Sequence, residues 1–184
     1  MESLFSMFFM AQLVGFVGYF LYSASSYAKT NNAIATYEAV GCVVIATHAL
    51  MLGSMIGCLV NVLYFYFAFV VRIYGYNTHG KSYRMGLFLG FLALVVMSVY
   101  TWQGLFTDVL AFAATTVFIL GRSRRSLEQF RVLSIVSIGI WMAFNIVVGS
   151  VAGLIFNVIY IHGHLNNLGA YTVLRNRFAR PVKV

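Results

Sequence analysis

Gly53-Ser54-Met55-Ile56-Gly57-Cys58-Leu59-Val60-Asn61 sits where two apolar runs meet, and Gly149-Ser150-Val151-Ala152-Gly153-Leu154-Ile155-Phe156-Asn157 repeats its pattern 96 residues later. The common element is Gly-Ser-x-x-Gly-x-x-x-Asn. In such apolar surroundings it sets one amide at matching positions of two membrane helices, which is how a solute site between two half-bundles is built.

The composition around the pattern makes lipid the solvent. Of 184 residues, 61% are hydrophobic and 9% charged, and the mean hydropathy is +0.88. A soluble fold of this length has to hydrate most of its exterior, which this chain cannot do. A spanning helix needs about 20 residues, and seven apolar windows approach that length: 4–23, 33–52, 55–74, 85–102, 106–120, 132–148 and 151–168. The fifth and sixth are short for a span.

The basic residues test that reading independently. All twelve Lys and Arg fall in four places: Lys29; Arg72, Lys81 and Arg84; Arg122, Arg124, Arg125 and Arg131; and Arg175, Arg177, Arg180 and Lys183. With seven spans these lie on one side, so the positive-inside rule sets the N-terminus outside and the C-terminus in the cytoplasm. The net charge of +8 is then explained by orientation and contact with lipid head groups, and nucleic acid is not an expected partner because aromatic and basic residues are not interleaved. Glu2 replaces the basic n-region of a signal peptide, so the first apolar run is expected to stay as a helix.

The 96-residue offset also pairs Gln12 with Asp108, Phe16 with Phe112 and Tyr64 with Tyr160. The expected fold is therefore an all-α integral membrane protein in a three-plus-one-plus-three arrangement. A first unit of residues 1–74 precedes a linker with helix 4 over 75–104, a second unit over 105–171 and a basic cytoplasmic tail over 172–184. Three helices are an odd number, and the extra span returns the second unit to the orientation of the first, giving parallel repeats.

Ala11-Gln12-x-x-Gly15, His48-x-x-x-x-Gly53 and Trp141-x-x-x-Asn145-x-x-x-Gly149-Ser150-x-x-Gly153 carry a resemblance that covers most of the chain. The chain resembles the Imp-YgjV family of small bacterial inner membrane proteins, within the SWEET, PQ-loop and PnuC transporter superfamily. The resemblance implies the inner membrane and a pocket between two triple-helix bundles, lined by paired amides and aromatic rings. Carried onto this chain, the amide pair is Asn61 and Asn157. The hinge of a PQ-loop protein has no counterpart, since Ala11 and not proline precedes Gln12.

Polar groups inside a membrane are expensive, and each is a candidate for function or for helix bridging. Asn61, Asn157, Asn145, Trp141 and Gln12 are the candidate solute ligands, amides being suited to neutral hydroxylated or amide-bearing solutes. His48 and Asp108 both fall toward the outer side and are candidates for proton coupling, Asp108 having the alternative of complementing a helix N-terminus. Gly53, Ser54, Gly57, Gly149, Ser150 and Gly153 are read as helix-packing residues. Glu38 is expected to be solvated or paired near the interface, within reach of Lys29. His162 and His164 are expected at the same interface, with Tyr74, Tyr76, Tyr83 and Tyr171 in an aromatic belt. Cys42 and Cys58 differ by about 9 Å in depth, too far for an easy disulfide.

No nucleophile elbow, zinc-protease signature or phosphate loop occurs in the chain, so an enzyme, a cofactor and a metal are not expected. The expected function is a facilitator or secondary carrier for a small neutral metabolite such as a sugar, nucleoside or vitamin precursor. The alternative is an interaction or regulatory membrane protein whose polar groups only hold helices together. Lipid and solute are the expected partners, and a homo-oligomer is left open.

Overall fold

The computed structural model describes residues 2–74, 80–124 and 126–169, with the side chains of residues 2–5 and 31 excepted. Tyr76, Arg125, Tyr171 and the tail expected over 172–184 lie outside the described residues. The described chain is all-helical: α1 (Glu2–Ala24), a 3-10 turn (Ser25–Tyr27), α2 (Asn31–Met51), α3 (Met55–Tyr74), α4 (Lys81–Thr101), α5 (Phe106–Arg122), α6 (Leu127–Val148) and α7 (Val151–Asn167). The helices α1 to α4 and α6 are long and apolar enough to cross a membrane, while α5 and α7 have 17 residues each. Helices are what lipid permits, since each satisfies its own backbone polar groups.

Local chemistry fixes where the helices turn back. At Gly53 the backbone takes a φ of 77° and at Gly149 a φ of 72°, the left-handed conformation that glycine reaches without strain. The amide of Ser54 then bonds the carbonyl of Ala49, and the amide of Ser150 that of Asn145, each at 2.9 Å. Ser54 Oγ accepts from the Gly57 amide and Ser150 Oγ from the Gly153 amide, both at 3.1 Å, capping α3 and α7. At the other end, Thr30 caps α2 by accepting from the Ala33 amide, and Ser126 caps α6 by accepting from the Gln129 amide.

Short connections make successive helices antiparallel. Among the described residues, α2 packs on α1 and α3, α6 packs on α5 and α7, α1 packs on α7 and α3 on α5, closing a ring of six helices; α4 lies outside it against α3 and α5. The core inside the ring is aromatic, with Tyr64, Phe67, Phe118, Phe130, Trp141 and Tyr160 in one buried cluster. Val17, Phe20, Phe88, Val99 and Ile146 face outward, as a lipid-solvated surface allows.

One end of the bundle carries the tight α2–α3, α4–α5 and α6–α7 connections, and the other carries the basic residues. Lys29, Arg72, Lys81, Arg84 and Arg124 are exposed there, but two residues counted in the sequence as loop charges are not. Arg122 and Arg131 are 1% and 3% exposed, because each ends or begins a helix against polar partners in the interior. Arg122 pairs with Glu38, so the carboxylate meets α5 and not Lys29. Arg131 donates to the carbonyls of Ser26 and Ala28 and to His164 Nδ1, at 2.9 to 3.0 Å. His164 is thereby buried and not interfacial. Tyr83 is buried too, donating to the Arg122 carbonyl at 2.9 Å, and so leaves the expected aromatic belt.

Gly53 and Gly149 show no neighbour within 4 Å of an added Cβ, so they serve the chain reversal and not helix packing. Alanine at either position should cost about 1 kcal/mol of stability through its backbone alone. Gly139→Ala, in an equally open helical position, should be neutral or mildly stabilising. Thermal unfolding of the three variants in detergent checks the contrast.

Candidate functional site

A cavity lies inside the ring, lined by Tyr19 and Tyr22 of α1, Ile45 and Ala49 of α2, Gly57, Asn61 and Tyr64 of α3, Ile138, Trp141, Phe144 and Asn145 of α6, and Asn157 of α7. Asn61 and Asn157, whose spacing from the two Gly-Ser turns is identical, therefore meet at one space. The room open to the centre of a water-sized sphere is about 40 Å³, enough for about three waters.

The amides differ in their bonding. Asn61 Nδ2 donates to the Gly57 carbonyl one turn back at 2.8 Å. Asn145 Oδ1 accepts from Tyr19 at 3.4 Å, and its amide nests against Gly153, where an added Cβ would stand 2.6 Å from it. Asn157 Nδ2 is buried without a hydrogen-bond partner. An apolar setting makes such a donor costly, at about 1 to 3 kcal/mol, so it marks the point of the cavity with most to gain from a polar guest.

Aromatic residues complete the walls. Trp141 Nε1 donates to the Tyr64 hydroxyl at 2.9 Å, and the Trp141 and Phe144 rings meet edge to face at 4.8 Å. Tyr22 stacks on Tyr160 at 5.2 Å, and both hydroxyls are buried. Tyr19 and Tyr22 are absent from the sequence-based ligand set, although their three-residue spacing places them on one helix face.

Other expected site residues lie elsewhere. Gln12 does not line the cavity: Nε2 donates to the Gly149 carbonyl at 3.4 Å and Oε1 accepts from the Ala152 amide at 3.3 Å, so the side chain fastens α1 to the α6–α7 reversal. His48 and Asp108 are not brought together. His48 Nδ1 lies 2.7 Å from the Ala11 carbonyl, which can only accept, so Nδ1 carries the proton. Nε2 is then the acceptor for the Ser150 hydroxyl at 2.9 Å. Asp108 instead accepts from the amides of Gln103 and Leu105 at 2.9 and 3.1 Å, where α5 begins. Gly57 and Gly153 do make close contacts, Gly57 with Ser54 and Ala49 and Gly153 with Asn145. Cys42 and Cys58 are free and buried.

Residues 9–175 match the Imp-YgjV family, described as a bacterial inner membrane protein. The chain belongs to this family and is a multi-pass protein of the bacterial inner membrane. No curated protein and no solved structure matches it.

Ser150 joins two elements, since its hydroxyl caps α7 and holds His48 of α2. Ser150→Ala should therefore destabilise the protein by about 1 to 3 kcal/mol, having left a buried imidazole nitrogen unsatisfied. Ser54→Ala removes a cap and should cost about 1 kcal/mol. Unfolding midpoints measured side by side in detergent check the order.

Proposed function

Starting from membership of this inner-membrane family, we propose that the protein is a facilitator or secondary carrier for a small neutral polar metabolite, such as a sugar, a nucleoside or a vitamin precursor. The observation that carries the reading is the unpartnered Asn157 amide in a cavity walled by further amides and aromatic rings. Amides supply donors and acceptors to hydroxyls, and aromatic faces suit the apolar sides of sugars and bases. Charged walls, metal ligands and cofactors have no part in this proposal, nor does catalysis.

The carrier is read as two parallel three-helix repeats, α1–α3 and α5–α7, joined by α4. The Gly-Ser reversals and the Thr30 and Ser126 caps recur at the 96-residue offset with the same hydrogen bonds. Exchanging the two units preserves which helices pair, since α1 on α7 becomes α5 on α3, although α1 lies against α7 far more extensively than α3 against α5. The cavity lies between the units, with Ile45 and Trp141, Ala49 and Asn145, and Asn61 and Asn157 as offset pairs on its walls. Exposed Lys29, Arg72, Lys81, Arg84 and Arg124 at one end support a cytoplasmic assignment for that end, with the N-terminus outside.

A cavity with room for about three waters is closed to a sugar. The structure thus fits a resting or occluded form, from which the units separate to admit solute. Alternating access needs no proline hinge if the two units rock as bodies about the α1–α7 contact, where Gly15 stands against Ala152.

Two measurements test the reading. Purified protein screened by thermal shift against sugars, nucleosides and vitamin precursors should be stabilised by its solute. Asn157→Leu should then lose about 1 to 3 kcal/mol of binding, a fall of about 5- to 150-fold in affinity, while the fold tolerates the apolar side chain. Loss of stability in Asn61→Leu and Asn157→Leu with no solute bound by any variant would instead favour a helix-bridging role. For orientation, Gln103→Cys should react with an impermeant thiol reagent in intact cells and Ser123→Cys only after lysis, both in a background lacking Cys42 and Cys58.

A further inference from the structure

Glu38 and Arg122 form an ion pair, and among the described residues it is the only one. They are 2% and 1% exposed. Their helices are not packed on each other, since α2 contacts α1 and α3 while α5 contacts α3, α4 and α6. The two side chains therefore bridge the interior of the ring, joining one three-helix unit to the other. Arg122 has little freedom to follow a departing partner: its guanidinium lies between the Phe118 and Phe130 rings, 4.9 and 4.2 Å from their centroids. Glu38 uses Oε2 in the pair, and its buried Oε1 has no partner.

The position is that of a gate. Glu38 lies seven residues from Ile45 of the cavity wall toward the basic end, about 10 Å along the helix. The stacked Tyr22 and Tyr160, with their buried hydroxyls, lie one helical turn beyond Tyr19 and Asn157 in the same direction. Tyr22 also borders the cavity, so polar groups run from the solute space toward the pair.

We propose that Glu38 is the proton-binding group of the carrier and that its pair with Arg122 latches the cytoplasmic gate, making solute entry a proton symport. This rests on the carrier reading and adds the force that drives it. With Glu38 ionised the pair holds α2 to α5. A proton taken from the outer solution forms an O–H bond on Oε1, the carboxylate becomes a neutral acid, and the charge attraction that ties it to Arg122 is lost. With that tie between α2 and α5 gone, the units part at the basic end and water enters. The proton then leaves to the cytoplasm with the solute, and the ion pair reforms.

The surroundings leave few rivals for the proton. The titratable groups that sense Glu38 are Tyr22 of α1, Cys42 of α2, Tyr83 of α4 and Tyr160 of α7, phenols and a thiol whose ordinary titration is alkaline. Arg72 of α3 is turned to Thr36 on the exposed side. His164 of α7 senses both Arg122 and Arg131 of α6, and its Nδ1 accepts from Arg131. His164 is the imidazole of this set, and its replacement separates its part from that of Glu38.

Spin labels at Asn32→Cys and Ser123→Cys, both exposed, in full-length protein lacking Cys42 and Cys58 read the separation of α2 from α5 without any solute. The distance distribution should gain a longer component as pH falls from mildly alkaline to mildly acidic, its share rising by about tenfold. Glu38→Gln should show that component at both pH values. The double variant Glu38→Gln with Arg122→Gln, which buries no unpaired charge and so guards against misfolding, should give one distribution at both. A wild-type distribution that ignores pH, or a double variant that still responds, overturns the proposal, as does a response abolished only by His164→Gln. If the latch responds as expected but no solute of the panel is moved by proteoliposomes, the carrier reading fails and the proton switch stands.

Discussion

Hydrocarbon offers no partner to a polar group, and the placement of nearly every functional side chain in this protein follows from that constraint. Ser150 is the fullest case: its hydroxyl accepts from the Gly153 amide and donates to His48, whose other nitrogen donates to the Ala11 carbonyl. One set of bonds satisfies a helix start, a histidine and a carbonyl, and in doing so fastens α1 and α2 to α7. Arg131 does the same at the opposite end, holding the turn after α1 to α6 and α7. Where the constraint is met, polar residues act as fasteners. Among the groups that escape it, Asn157 Nδ2 borders the cavity and Glu38 Oε1 lies toward the basic end.

The two ends of the molecule have different characters. At the tight-turn end the cavity reaches Ala49 and Gly57, two residues short of a helix end in each case. At the basic end it is closed by stacked tyrosines, aromatic rings around Arg122 and the ion pair itself. In the proposed carrier, a thin closure on one side and a thick, charged one on the other would respond to different stimuli. Small residues matter to both, because Gly153 lies against Asn145 at the first end and Gly163 against Ser26 at the second closely enough that any side chain would displace them.

Much of the architecture was legible in the chain. Hydropathy marked all seven helices, and the Gly-Ser pattern marked two of the reversals, because a left-handed residue followed by a capping hydroxyl is a local requirement that neighbours cannot supply. The pairing of Asn61 with Asn157 at one cavity also followed from spacing, since equal offsets from equivalent turns put two side chains at equal depth. The fates of Gln12, His48 and Asp108 did not. Each is a polar residue at a similar depth, and sequence cannot tell whether such a residue faces a cavity, a neighbouring turn or its own helix end.

The sequence by itself thus determined a helical membrane protein and two of its turns, because these depend on local conformation and on transfer from water to lipid. Tertiary structure alone decided the partners. Arg122 is a plausible loop charge until α5 is laid beside Phe130 and opposite Glu38, residues remote in sequence that meet only when the ring closes. A buried charge is stable only with its counter-charge in reach, and which counter-charge that is depends on how helices are arranged around the ring, a rotation that hydropathy does not encode.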